Sequence, residues 1–142
     1  MRHKKYTFKI GRTSSHRRAL LANQVCSLIY SSVIKTTIAK AKETRRVADK
    51  MVTLAKKNNL HCRRRAIGFL GDVNAVKILF NEIAPQFINR NGGYTSIHRY
   101  NKRLGDSAEM CLLKWVLSDN EKKQIEDAKT KNNSTKIKDS NK

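Results

Sequence analysis

Apolar residues recur at helical spacing through the first half of the chain and then give way to alternation. Leu21, Ala22, Val25, Cys26, Leu28 and Ile29 follow the polar run Thr13–Arg18, which predicts a helix capped by Thr13 or Ser14. Val33–Thr37, rich in β-branched residues and preceded by two serines, reads as a short strand. Thr37 then caps a second helix whose Ile38, Ala41, Ala48, Met51, Val52 and Ala55 share one face, with lysines and arginines over the rest. Asn58 and Asn59 end it, and Leu60–Ile67 begins a third. Gly71 and Asp72 mark a break, with Asp72 capping a fourth helix over Val73–Phe80 that buries Val73, Val76, Leu79 and Phe80. Pro85, the only proline, is expected to stop the helices, leaving Gln86–Gly93 as a polar loop.

Beyond that loop the period changes. Tyr94–Tyr100 alternates as a strand does, and Ala108–Leu117 is a second apolar run containing Cys111, Trp115 and Val116. The basic segment Asn101–Ser107 between them reads as a hairpin loop. The three strands make a small antiparallel sheet with about four helices on one face, an α+β architecture of two layers. Both chain ends differ in kind. Residues 1–12 show no apolar period and read as an extended arm, residues 13–117 as the globular domain, and residues 118–142 as a polar, lysine-rich tail with helical character at most over Glu121–Lys129.

Charge adds what periodicity leaves out. The 142 residues hold 31 Lys or Arg against 11 Asp or Glu, a formal net charge of +20. Residues 1–65 carry 18 of the basic residues and two acids, so most of the excess lies in the N-terminal half. A surface charged only for solubility mixes both signs, whereas this distribution marks a face for a polyanion. The arm holds Arg2, Lys4, Lys5, Lys9 and Arg12 without one acid; it either orders against phosphates or is a frayed basic terminus. Ser14, Arg17 and Arg18 fall at the start of the first helix, where the macrodipole favours anions. Free N–H groups, hydroxyls and guanidinium groups there suit a phosphate, although an ordinary capped helix with solvated arginines has the same sequence. Three consecutive arginines, Arg63–Arg65, point in directions about 100° apart, so at least one faces outward. Arg99, Lys102 and Arg103 add positive charge around the hairpin. Tyr6, Phe8, Tyr94 and Tyr100 lie near basic residues and suit stacking on unpaired bases, with core packing as the competing use of Tyr94 and Tyr100.

Catalysis finds little support. Phosphate-loop, dinucleotide-binding and HExxH motifs are absent, the four histidines are scattered, and His61–Cys62 alone falls short of the roughly four ligands of a zinc site. The few acids form no pair suited to Mg²⁺. The expectation is therefore a non-enzyme with no metal, no cofactor and no small-molecule substrate. Cys26, Cys62 and Cys111, odd in number and far apart, read as reduced, mostly buried thiols. No apolar stretch approaches the about 18 residues of a membrane span, and the N-terminus lacks a secretory signal's apolar run, so an intracellular protein with no membrane partner is expected.

The segments MRH, GRTSSHR, TTIAKAKE, LHCRR and NRNGGYT, in this order and spacing, resemble the bacterial-type large-subunit ribosomal proteins numbered seventeen in that subunit's series, over about Met1–Leu117. The resemblance implies an α+β fold, structural binding to large-subunit rRNA, neighbouring ribosomal proteins as further partners, and a location in the large subunit in bacterial cytoplasm or an organelle of bacterial descent. It also implies rRNA contacts at the matching positions Arg2, His3, Gly11, Arg12, His16, Arg17, Arg63, Arg64, Arg90, Asn91 and Gly92. Charge and position alone add Lys4, Lys5, Ser14, Arg18, Arg99, Lys102 and Arg103. The chain departs from the family in having Arg46 where proline is usual and in its tail from Ser118. A basic DNA-binding architectural protein is the competing expectation. Deleting residues 1–12 is expected to weaken rRNA binding and flatten its salt dependence while leaving the melting temperature of the free protein nearly unchanged, measured by filter binding and thermal denaturation.

Overall fold

A computed structural model describes residues 9–116; the tail, and Arg2, His3, Lys4, Lys5, Tyr6 and Phe8 of the arm, lie outside them. The elements run α1 (Ser14–Ser31), β1 (Val33–Thr37), α2 (Ile38–Lys56), α3 (Leu60–Leu70), α4 (Val73–Ile78), a π-helical segment (Leu79–Ile83), α5 (Ala84–Gln86), β2 (Thr95–Lys102) and β3 (Glu109–Trp115). The last helical pieces form one continuous rod, giving four helical bodies, of which α1 and α2 lie directly on the sheet while α3 and the rod pack against them. The strand order is β1-β3-β2, antiparallel throughout. Ile34 and Ile97 flank Leu113 in register, and Thr36 and Arg99 flank Cys111. Cys111, Leu113 and Trp115 of the central strand are buried toward the helices, whereas Val33, Lys35 and His98 stand exposed on the opposite face. This is the expected two-layer α+β fold.

Local chemistry explains most boundaries. The side chain of Asn59 accepts from the Cys62 N–H at 2.7 Å and starts α3; Asp72 accepts from Asn74 and Ala75 at 2.9 and 3.1 Å and starts α4. Gly71, at φ +73°, closes α3 in the left-handed conformation that favours glycine. Thr13 and Thr37 occupy the N-cap positions of α1 and α2, but neither side chain makes a capping bond. The early polar residues of α1 therefore leave its first N–H groups without a side-chain cap.

Three further expectations change. Val73 is 49% exposed, because it opens α4 on the side away from the core; the buried stripe starts at Ala75 and Val76. Pro85 does not stop the rod. The helix widens over Leu79–Ile83, the Ala84 N–H bonds to the Leu79 carbonyl five residues back, and Pro85 falls in the first turn of α5, where no N–H is required of it. Nor is the segment after it simply polar. Phe87 is 2% exposed and packs edge-on to Tyr94, ring centroids 5.3 Å apart, and beside Trp115 at 6.1 Å. Tyr94 is thereby a core residue, while Tyr100 is half exposed.

Polar links bind the layers. Gln24 of α1 donates through Nε2 to the Thr36 hydroxyl of β1 at 2.9 Å and accepts through Oε1 from the Thr44 hydroxyl of α2. Thr44 has no exposed surface, so this contact satisfies a buried polar group and makes its place on the apolar stripe of α2 tolerable. The Trp115 indole N–H donates to the Leu28 carbonyl at 3.1 Å, tying β3 to α1. Cys62 and Cys111 are buried and Cys26 half-buried, all three as free thiols. Burial pushes the Cys111 thiol pKa up, and burial, followed by the charge of Asp72, does the same for Cys26.

Replacing Gln24 with Ala takes the amide donor from the Thr36 hydroxyl and leaves the Thr44 hydroxyl with the Lys40 carbonyl alone, and is expected to cost about 1–3 kcal/mol in urea denaturation. The Tyr30 hydroxyl, donating to Asp72 at 2.7 Å, and the α4 amides hold the Asp72 carboxyl below its usual range. A depressed acid stabilises above its unfolded pKa and loses that effect as pH falls through the folded value. Asp72→Asn should therefore flatten the loss of stability below about pH 4, as read from melting temperatures across that range.

Candidate nucleic-acid interface

The expected contact residues fall on three regions of the described surface. The first surrounds the start of α1. Ile10 and Gly11 make a left-handed turn at φ +55° and +59°, closed by the Arg12 N–H bonding to the Lys9 carbonyl at 3.3 Å. Arg12 folds back to donate to the Ile10 carbonyl at 2.8 Å, and its Nε is buried without an acceptor among the described residues. Ser14, His16 and Arg18 are exposed, and Arg17 is half-buried. Arg18 leans across to α3, its guanidinium 5.6 Å from the Phe69 ring centroid and donating to the Gly68 carbonyl at 3.1 Å. The first turn of a long helix thus presents hydroxyls, amides and cations without an acid of its own.

The second region joins α2, α3 and the loop before β2. Lys56 donates to the Arg90 carbonyl at 2.8 Å, which holds Arg90, Asn91 and Gly92 against the end of α2 with all three exposed. Gly92 and Gly93 lie at φ +154° and +61°, conformations a side chain resists. Arg64 and Arg65 face outward. Arg63 is partly committed inside, stacked 4.9 Å from the Phe80 ring and donating to the Asn58 side chain at 2.9 Å. Between these elements runs a groove of about 730 Å³ that brings Arg18, Arg65 and Gly92 together with Lys50 and Lys57.

The third region follows the sheet. Arg99 lies on the helix-facing side, where it shares a depression with Lys42, Arg45 and Arg46 of α2. Lys102 and Arg103 stand at the far end of β2, roughly 25 Å from Thr95 by strand rise. Arg103 forms a bidentate pair with Asp106 across the hairpin turn, which holds the Asp106 carboxyl at a pKa of about 2. Its charge is therefore balanced locally. Tyr100 takes the Lys35 ammonium 4.3 Å from its ring centroid on the uncovered side of the sheet.

Acids are few, and those nearest the cations of α2 are engaged. Glu43 is buried beside Arg46 at 3.4 Å, and Asp49 accepts from the Thr95 hydroxyl at 3.3 Å. Burial raises the Asp49 pKa, opposed by Thr95 and Arg45. Sequence reasoning did not select Lys50, Lys57 or Arg65 as contacts. The available signal was the spacing of Lys50 and Lys57, seven apart and so on one face of α2. Among the described residues no three His, Cys, Asp or Glu side chains cluster as a metal site, and no helix is long and apolar enough to cross a membrane.

Fold and surface define a small two-layer α+β protein whose cations gather around helix ends and a glycine loop, largely without local counter-charges. Residues 20–116 match the family model described as ribosomal protein L17. The large ribosomal subunit protein bL17 of Alkaliphilus metalliredigens is 52% identical over 108 residues, covering 76% of this chain and 96% of its own. That of Fusobacterium nucleatum is 48% identical over 116 residues, covering 82% of this chain and 100% of its own. That of Chlamydia muridarum is 44% identical over 140 residues, covering 82% and 99%. The chain belongs to the ribosomal protein L17 family.

Because Arg103 is already paired, Arg103→Ala is expected to loosen the hairpin, seen as faster amide exchange at Ser107 and Ala108, whereas Arg64→Ala leaves exchange unchanged.

Proposed function

We infer that this protein is a structural constituent of the large ribosomal subunit that binds and stabilises folded large-subunit rRNA and so supports translation. Family membership carries this reading, and the one-sided charge supplies its physics: RNA phosphates provide the negative groups that the protein omits. The protein acts without catalysis, metal or cofactor, and its partners are large-subunit rRNA and the adjoining large-subunit proteins. The exposed residues Gly11, Ser14, His16, Arg18, Arg64, Arg90, Asn91, Gly92, Arg99 and Lys102, with the half-buried Arg12 and Arg17, make the contacts. Arg2, His3, Lys4 and Lys5 extend them along the arm. Arg63 and Arg103 contribute as charges already anchored to Asn58 and Asp106. Residues 13–117 form the folded unit, and the tail from Ser118 is an addition to it.

The protein should sediment with large subunits and be stripped by high salt. About ten phosphate contacts give a log–log salt slope near −9 on duplex and near −7 on single strands. Free migration at low salt, or preference for duplex DNA over structured rRNA at equal salt, would overturn the reading.

A further inference from the structure

The groove between α2, α3 and the glycine loop is apolar at its base and cationic at its rim. Val47, Met51, Leu54 and Phe69 form the floor, and Arg18, Lys50, Lys57 and Arg65 stand around it. Its volume, about 730 Å³, falls within the roughly 300–1,000 Å³ of sites that hold small molecules. The one acid lining it, Asp49, is turned toward Thr95 and Arg45.

We propose that this groove receives an unpaired base of the RNA that the protein binds, with the ring on the apolar floor and the flanking phosphates on the cationic rim. The proposal rests on the rRNA-binding reading and makes it local. A base has a flat face that needs no hydrogen bond, and its backbone carries one negative charge per nucleotide, which suits this floor and this rim. An acidic peptide matches the rim equally well, but it would turn backbone N–H and C=O groups toward an apolar surface that cannot satisfy them. The Arg18 guanidinium, 5.6 Å from the Phe69 ring centroid, places a planar cation at the wall, against which a further ring can stack. Gly92 and Gly93 keep the loop side low, since neither carries a side chain into the opening.

The structure also provides a plug. Gly68 lies within α3 at a helical φ, and a Cβ built there meets nothing within 4 Å. Gly68→Trp fills the groove from one wall without backbone strain; Thr53→Trp, from an exposed position on α2, fills it from the other. Full-length protein is titrated with nonameric oligoadenylate and with inorganic polyphosphate of matched charge. The unsubstituted protein should prefer the oligonucleotide by about tenfold or more. Each plug should bring oligonucleotide affinity down to that of polyphosphate, leaving polyphosphate affinity and the melting temperature near their original values, while Gly68→Ala changes neither affinity. Equal loss for both ligands, or no loss for either, overturns the proposal. So does undisturbed oligonucleotide binding by plugged protein that no longer enters large subunits, which would assign the groove to a neighbouring protein. In each of these cases salt-sensitive binding of the unsubstituted protein to large-subunit rRNA keeps the wider reading intact; loss of that binding overturns both.

Discussion

The bond that Gln24 makes in two directions governs the arrangement of the rest. One amide reaches a strand with its nitrogen and a helix with its oxygen, so α1 is fixed relative to β1 and α2 together. Hydrophobic burial alone would let α1 slide or roll, because Leu, Val and Ala contacts have no direction. The amide does have direction, and the indole of Trp115 adds a second anchor further along the same helix. With α1 held at two points, its first turn is carried to the side of α3, where Arg18 meets Phe69 and the Gly68 carbonyl. The place of Arg18 on the cationic rim is therefore an outcome of core polar chemistry about two turns away on the same helix.

A second constraint is electrostatic. Packing so many cations on one small domain raises its self-energy, and the fold answers it locally with Glu43 beside Arg46, Asp49 near Arg45 and Asp106 with Arg103. Four further cations rest on aromatic faces: Arg18, Lys35, Lys56 and Arg63 on Phe69, Tyr100, Tyr94 and Phe80. A ring holds a cation in place without cancelling its charge, which leaves the field available to an external anion. Arginines and lysines positioned in this way are ordered before a partner arrives, and less side-chain entropy is lost when it does.

Much of this was legible from periodicity. The faces of α1 and α2, the caps at Asp72 and the break at Gly71, the three strands and their antiparallel sheet all follow from local patterns, and the structure reproduces them. The exceptions have physical causes. Pro85 normally ends a helix, but a widened turn beforehand changes which carbonyl needs a donor, and nothing in the adjacent residues announces that widening. Phe87 sits in a polar stretch, so its burial depends on Tyr94 and Trp115 arriving from the sheet. Thr44 looks misplaced on an apolar stripe until Gln24, twenty residues away, is placed beside it. The groove was less legible still, because its walls come from four separate stretches of chain, and only the pair Lys50 and Lys57 leaves a trace in the spacing.

The cysteines show what the same burial does to reactivity. Oxidants attack thiolate, not thiol, and burial around Cys26 and Cys111 pushes both thiol pKa values up, which disfavours the reactive form. Cys62 is enclosed in the same core cluster as Cys111, out of reach of a second thiol in solution. With Cys62 and Cys111 enclosed and Cys26 only partly open, none of the three sulfurs stands fully on the surface, which limits accidental cross-linking through disulfides.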